Sequence, residues 1–249
     1  MTSSLERLPD VQRPLLRPAR GTPDTPMLAT LNSRRDFDAD WIFERKLDGI
    51  RALPTRRDGE VKLLSRNGKP LNSTYPEVAE ALAAQDRSDF TVDGELVALR
   101  GGRTDFALLQ QRMQLTGSAA VRAAGRIRVT YYLFDLLRLD GNDTTQLPLR
   151  TRKALLRDTL VFRAPLRFTP HRNRFDPALL ERACARGWEG LIAKRARARY
   201  VHRRPETVAQ VAFTEWTTAG LLRHPRYLGL REDKSAREVV RERPGGNSR

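Results

Sequence analysis

The stretch Trp41-Ile42-Phe43-Glu44-Arg45-Lys46-Leu47-Asp48-Gly49-Ile50-Arg51 sets how the rest of the chain is read. Its apolar-aromatic opening predicts a buried strand, Asp48-Gly49 predicts a turn, and residues 51–55 predict a second strand that answers the first. Lys46 then stands at the end of a rigid strand, beside Arg51. Of 46 basic residues only six are lysines, namely Lys46, Lys62, Lys69, Lys153, Lys194 and Lys234. In a chain that writes positive charge as Arg, a lysine points to chemistry a guanidinium cannot do, because an ε-amine can shed its proton and become a nucleophile. A surface hairpin with a salt-bridged lysine accounts for Lys-x-Asp-Gly-x-Arg equally well when the pattern stands alone.

Composition narrows the class. The 249 residues, 39% of them hydrophobic, suffice for one large domain or one domain and a small appendage. A formal charge of +16 predicts a polyanionic partner, DNA or RNA first and a membrane surface second. No run has the apolar length of a membrane span, and Leu5, Leu8, Leu15 and Leu16 are scattered among Pro and Arg rather than gathered in a signal core, so a cytoplasmic protein is expected. The single cysteine, Cys184, excludes an internal disulfide and a cysteine-rich metal site.

Along the chain, residues 1–26 carry five prolines with interspersed Arg and predict a flexible basic arm. From Met27 a globular pattern begins: an antiparallel meander through residue 65, a helix near 76–84, and a strand at 90–99. A helix over 106–115 and a strand over 129–137 follow, then helices at 151–160 and 177–186, the last with Asp176 as N-cap and Gly187 just past its end. Residues 188–195 predict a strand bracketed by Glu189 and Lys194. Asp93-Gly94-Glu95 and Asp135 interrupt apolar strands, which is costly unless they bind a metal, a ribose or an Arg. A β-bulge exposing Glu95 is the plainer alternative. Beyond a boundary near Tyr200, residues 208–216 alternate like a strand, 217–220 turn, and 221–230 pair back. A charged tail ends the chain.

A lone lysine, two strand carboxylates, an aromatic and a second lysine at a strand end are the parts that activate a nucleotide. Lys46-Leu47-Asp48-Gly49-Ile50-Arg51, Ser65-Arg66-Asn67-Gly68, Val92-Asp93-Gly94-Glu95-Leu96, Tyr132-Leu133-Phe134-Asp135 and Glu189-Gly190-Leu191-Ile192-Ala193-Lys194 occur in the order seen in covalent nucleotidyltransferases. The chain resembles ATP-dependent DNA ligases, most closely the ligase module of bacterial end-joining ligase D. Pro225-Arg226-Tyr227-Leu228-Gly229-Leu230-Arg231-Glu232-Asp233-Lys234 resembles that family's last motif.

The resemblance implies an α+β fold: two antiparallel sheets with flanking helices form an adenylation domain over residues 27–200, and residues 201–249 are a truncated OB-fold remnant. It implies that Lys46 takes AMP, Glu44 meets the adenine edge and Phe134 stacks on the base. Arg51 and Arg66 would hold ribose or the 5′-phosphate of a nick. Glu95 would hold ribose and metal, Glu189 metal, Lys194 the nucleotide phosphate, and Arg231, Asp233 and Lys234 pyrophosphate. ATP is the implied substrate, Mg²⁺ or Mn²⁺ the cofactor, and double-stranded DNA with nicks or ends the partner, in repair, recombination and end joining at the nucleoid alongside end-joining proteins. Lys194 and Lys234 are only 40 residues apart, room for two or three strands of a five-stranded barrel, so impaired sealing is expected. The competing expectations are a damaged relative kept as a basic DNA-binding or accessory protein, and an RNA ligase or capping enzyme on the same core.

Overall fold

The computed structural model describes residues 4–21, 25–29, 37–202, 208–212, 215–216, 222–223 and 226–231. In chain order the strands are β1 (Arg17–Pro18), β2 (Trp41–Arg45), β3 (Ile50–Arg57), β4 (Glu60–Ser65), β5 (Phe90–Arg100), β6 (Arg103–Thr104), β7 (Val129–Leu139), β8 (Asn142–Asp143), β9 (Leu166–Phe168) and β10 (Leu191–Arg195). Four more, β11 (Val208–Ala212), β12 (Glu215–Trp216), β13 (Leu222–Arg223) and β14 (Arg226–Arg231), complete the set. The helices are α1 (Pro76–Ala83), α2 (Phe106–Gln110), α3 (Gly117–Arg126), α4 (Leu149–Thr159) and α5 (Pro177–Ala185). The chain divides into two units, residues 1–202 and 203–249.

The first unit is organised by β5 and β7, which pair antiparallel from Phe90↔Leu139 to Ala98↔Val129. Both are apolar on both sides and buried along most of their length, as central strands should be. The main sheet runs β1-β8-β7-β5-β3-β4, with β6 on β5 and β9 parallel to β7. Asp58 and Gly59, at φ 51° and 82°, make the tight turn between β3 and β4, where left-handed backbone matches strand twist. Val78 and Leu82 of α1, Leu109 of α2 and Leu155 and Leu156 of α4 join Leu63, Phe90, Val92, Leu96 and Leu136 of the sheet in one core. Each such side chain, fully buried, contributes about 1.5–3 kcal/mol.

Three local expectations change. Residues 41–45 do not form a hairpin with residues 50–57: β2 pairs with β10, from Leu191↔Arg45 to Arg195↔Trp41, while β3 joins β4 and β5 in the main sheet. Asp48-Gly49 therefore carries the chain from a two-stranded ribbon into a different sheet. Helix α2 stops after five residues, and α3, which buries only the small side chains Ala120 and Ala123, follows as a separate helix.

The N-terminal stretch, expected as a free arm, lies on the first unit. Leu5 and Leu8 are buried in the main core, β1 pairs with β8, and Ala19 donates its N–H to the Gly141 carbonyl at 2.8 Å. Its prolines suit an edge strand and a short helical turn (Arg13–Leu15), so they fix this segment's path.

In the second unit β11 pairs antiparallel with β14, with a register shift between Gln210 and Val211, and β12 pairs with β13. The pairing back of 221–230 on 208–216 is thus present. Residues 217–220 and the charged tail lie outside the described residues.

Candidate active site where the ribbon meets the sheet

Lys46 follows the last residue of β2. Its N–H donates to the Gly190 carbonyl at 2.9 Å, and its Nζ is bonded to the Glu189 carboxylate. Both side chains are about two-fifths exposed, so the pair is open to a ligand. Three residues on, Gly49 touches β5: an added Cβ would lie 2.0 Å from the Leu96 carbonyl oxygen. Only glycine lets the backbone cross there, which fixes how far Lys46 stands from β5.

The Asp-Gly-Glu run of β5 sits at a register shift between Asp93 and Gly94. A Cβ on Gly94 would meet the Tyr132 carbonyl oxygen at 2.5 Å and the Tyr131 ring at 2.6 Å, so glycine is required in this bulge. Asp93, fully buried, accepts from Arg51 Nε at 2.5 Å and Nη2 at 2.7 Å, and from the Tyr200 hydroxyl at 2.5 Å. The Tyr200 oxygen in turn accepts from the Met27 N–H at 2.9 Å, and Arg51 Nη2 donates to the Met27 carbonyl at 3.0 Å. Burial opposes charge on Arg51, but Asp93 outweighs it and raises the guanidinium pKa. Of the choices open to an acidic residue inside a strand, Asp93 takes the arginine. Asp135 does the same with Arg152, at 2.7 and 2.9 Å.

Glu95, opposite Arg51 in the β3–β5 register, has no such arginine fork among the described residues. Burial pushes its pKa up to about 7; Arg51 and Lys46 pull it down, while Asp93 and Asp48 raise it further. Phe134 of β7 is nearly buried, with the Arg51 guanidinium 4.6 Å and Lys194 Nζ 4.3 Å from its ring centroid. Lys194 Nζ donates to Glu44 Oε2 at 2.5 Å, and the other oxygen of Glu44 lies 2.5 Å from Lys153 Nζ. Lys46, Glu44, Arg51, Glu95, Phe134, Glu189 and Lys194, scattered over 150 residues, thus converge where the ribbon meets the sheet. Arg66 is exposed at the end of β4, tied in by its N–H to the Arg51 carbonyl at 3.1 Å. Arg231 ends β14 of the second unit, and Asp233 and Lys234 lie outside the described residues.

The sequence reading missed Lys153. It is buried on α4, donates to the Thr169 carbonyl at 2.9 Å and lies 4.7 Å from the Phe168 ring centroid. Burial lowers its pKa, with Glu44 opposing that shift. The signal was available, because lysine scarcity singles out all six lysines alike. Arg152 and Tyr200 were also missed, and nothing local in the sequence marks them as partners of Asp135 and Asp93.

No three carboxylate, His or Cys side chains gather as a metal site among the described residues. Glu95 and Glu189 still suit Mg²⁺, which takes one or two carboxylates and completes its shell with water and substrate phosphates.

Residues 26–206 match the model of the ATP dependent DNA ligase domain. The chain belongs to the ATP-dependent DNA ligase family. It is 37% identical over 168 residues to the multifunctional non-homologous end joining protein LigD of Pseudomonas aeruginosa, covering 66% of this chain and 19% of that protein. It is 32% identical over 182 residues to DNA ligase C of Mycobacterium tuberculosis, covering 69% and 49%. The ligase chain therefore spans between a fifth and a half of the curated relatives it matches. In fold it is similar to mycobacterial DNA ligase D complexed with ATP and MES, with a TM-score of 0.58, 24% identity and 88% and 98% coverage of the two chains. A Lig E DNA ligase structure gives a TM-score of 0.53 at 19% identity, covering 83% of this chain and 84% of that one. The α+β architecture is that of the family's nucleotidyltransferase domain. Among the described residues no helix is long and apolar enough to cross a membrane.

Proposed function

We propose that this chain uses ATP to adenylate itself on Lys46 and passes the AMP to a DNA 5′-phosphate for strand joining. The observation that carries this reading is the half-exposed Lys46 amine held by Glu189 beside a cluster of Glu44, Phe134, Lys194 and Glu95.

In the first step Lys46 Nζ attacks the α-phosphorus of ATP: the P–N bond forms, the bond to pyrophosphate breaks, and the proton leaving Nζ has Glu189 Oε1 as its acceptor. Phe134 and Glu44 supply an aromatic face and a fixed acceptor for the adenine, and Lys194 and Arg66 supply positive charge for phosphate. In the second step the DNA 5′-phosphate oxygen displaces Lys46 from the AMP, and in the third the 3′-hydroxyl displaces AMP. A divalent cation held by Glu95 and Glu189 would neutralise phosphate charge. Arg51, assigned on resemblance to ribose or the nick phosphate, is bound instead to Asp93, so its role in this reading is to fix the floor under Phe134.

Sealing by this chain alone is expected to be weak. Residues 203–249 contribute two short ribbons among the described residues, where the family's second domain is a five-stranded barrel. Losing one well-placed phosphate contact typically costs about 2–4 kcal/mol in the transition state. The test is intact-mass measurement after mixing with ATP and Mg²⁺. Wild type gains one AMP; Lys46→Arg, which keeps the charge and loses the nucleophile, gains none. A labelled Lys46→Arg protein sinks the assignment, and a wild type that never gains AMP favours a DNA-binding accessory protein. Robust multiple-turnover sealing of unmodified nicked DNA overturns the expected weakness.

A further inference from the structure

Most of the deeply placed arginines bind a carboxylate: Arg51 binds Asp93, Arg112 binds Glu77, Arg138 binds Asp89 and Arg152 binds Asp135. Arg45, Arg103 and Arg186 differ. Among the described residues none of the three has a carboxylate within ion-pair distance, yet all three gather on Gly187-Trp188. The guanidinium carbons of Arg45 and Arg186 lie 5.1 and 5.8 Å from the Trp188 ring centroid. An added Cβ on Gly187 would lie 2.8 Å from Arg103 Nε, so the absence of a side chain there admits the third arginine. Gly187 also has φ 66°, the left-handed backbone that ends α5.

Within this cluster Arg45 is under-satisfied. Its Nη1 reaches only the Gly102 carbonyl at 3.4 Å, while Nε and Nη2 are shielded from water without a partner. Burial lowers its pKa. With Nη1 on the exposed side, held only by that long bond, and two further cations beside it, the cluster suits an anion with several acceptor oxygens. The cluster also abuts the candidate nucleophile on both strands of the ribbon: Arg45 precedes Lys46, and Trp188 precedes Glu189, which binds Lys46.

We propose that Arg45, Arg103 and Arg186, spaced by Trp188, form a clamp for backbone phosphates of the DNA strand beside Lys46. Guanidinium forks match phosphate oxygens, and Trp188 holds two of the three arginines side by side. Exposure of Arg103 and Arg186 suits an extended strand passing over the surface. The proposal rests on the DNA-ligase reading for its ligand, but it does not need Lys46 to react.

The experiment therefore omits ATP and metal. A fluorescein-labelled, nicked, 5′-phosphorylated duplex is titrated with the full chain in EDTA over a salt series, and anisotropy gives Kd. Arg45→Gln/Arg186→Gln should raise Kd at low salt about tenfold and reduce the log–log salt slope by about 2, since each phosphate contact contributes about 0.9. Arg122→Gln/Arg126→Gln, which removes the same charge from exposed positions on α3, should change Kd less than threefold. Equal losses in both double variants overturn the clamp, because bulk charge alone would then explain binding. Should the first pair unfold by circular dichroism, the fluorescence difference between wild type and Trp188→Phe decides: a Trp188 signal that moves on saturation with DNA supports the clamp, and one that does not overturns it. A signal that moves with inorganic tripolyphosphate and not with duplex overturns the DNA assignment in favour of a nucleotide tail. Failure of Lys46 adenylation in the mass test leaves each of these outcomes readable.

Discussion

The eight-stranded sheet and the open end of the two-stranded ribbon, beyond the buried Glu44–Lys194 pair, handle charge in opposite ways. In and beside the sheet, Asp93, Asp135 and Asp89 each accept two nitrogens from one arginine, and Asp93 and Asp135 are buried. On the ribbon, Lys46 and Glu189 meet at the surface, and Arg45 has donors to spare. A buried pair is weak evidence of net stabilisation, yet costly to break. A half-exposed pair costs little to exchange for a ligand. The sheet therefore holds geometry, and the ribbon keeps charge available for chemistry.

The sharpest way to break this contrast is Asp93→Asn. It leaves Arg51 charged and buried and removes an acceptor from Tyr200, so thermal or urea unfolding should show a loss of about 3–5 kcal/mol. Glu189→Gln on the ribbon should lower AMP transfer and leave the midpoint nearly unchanged. If the two variants destabilise equally, the division between sheet and ribbon fails.

Glu95 tests the boundary between the two. Its folded pKa near 7 lies above the ordinary carboxylate value, so between about pH 4.5 and 7 the folded state binds more protons than the unfolded one. Stability from this group is then present at low pH and falls as pH rises through about 7. Glu95→Gln should flatten that fall and stabilise the protein at pH 8 by roughly 3 kcal/mol at most, at about 1.4 kcal/mol per pKa unit. An unchanged pH profile of unfolding would mean that Glu95 carries no such strain. With a divalent cation and nucleotide bound, the same group should titrate lower, and wild-type stability at pH 8 should rise.

The smallest expected effect concerns the N-terminal stretch. Leu8→Ala should cost about 2 kcal/mol, the low end for a core leucine, because Leu8 sits where the segment laps onto the core. A midpoint shift indistinguishable from that of Val11→Ala, at an exposed position, would restore the picture of a free arm.

Local patterns made much of this legible. Phe90–Arg100 and Val129–Leu139 announce buried strands, and the ordered motifs name Lys46, Glu95, Phe134, Glu189 and Lys194 as companions, which the fold does bring together. Partnership over distance was not legible. Trp41–Arg45 had an adjacent strand ready to pair with it, and local hairpin logic chose that strand; the steric demand of Gly49 against Leu96 sends the chain across to another sheet, and β10, nearly 150 residues later, takes the place. The two leucines of a proline-rich stretch find a core that composition does not reveal. Arg51 looked free for phosphate because its claimant, Asp93, lies 42 residues away.

The bond from Met27 to Tyr200 has a consequence for whatever follows the first unit. Met27 and Tyr200, 173 residues apart in sequence, are joined through one hydroxyl that also binds Asp93, the partner of Arg51. Whatever follows His202 is tethered next to a residue whose hydroxyl reaches the site floor through Asp93. A short tether of this kind raises effective concentration at the site without any new contact, and linker length sets how much. Lengthening or shortening the segment after Tyr200 should therefore tune capture of a second module through reach alone, leaving the chemistry at Lys46 as it is.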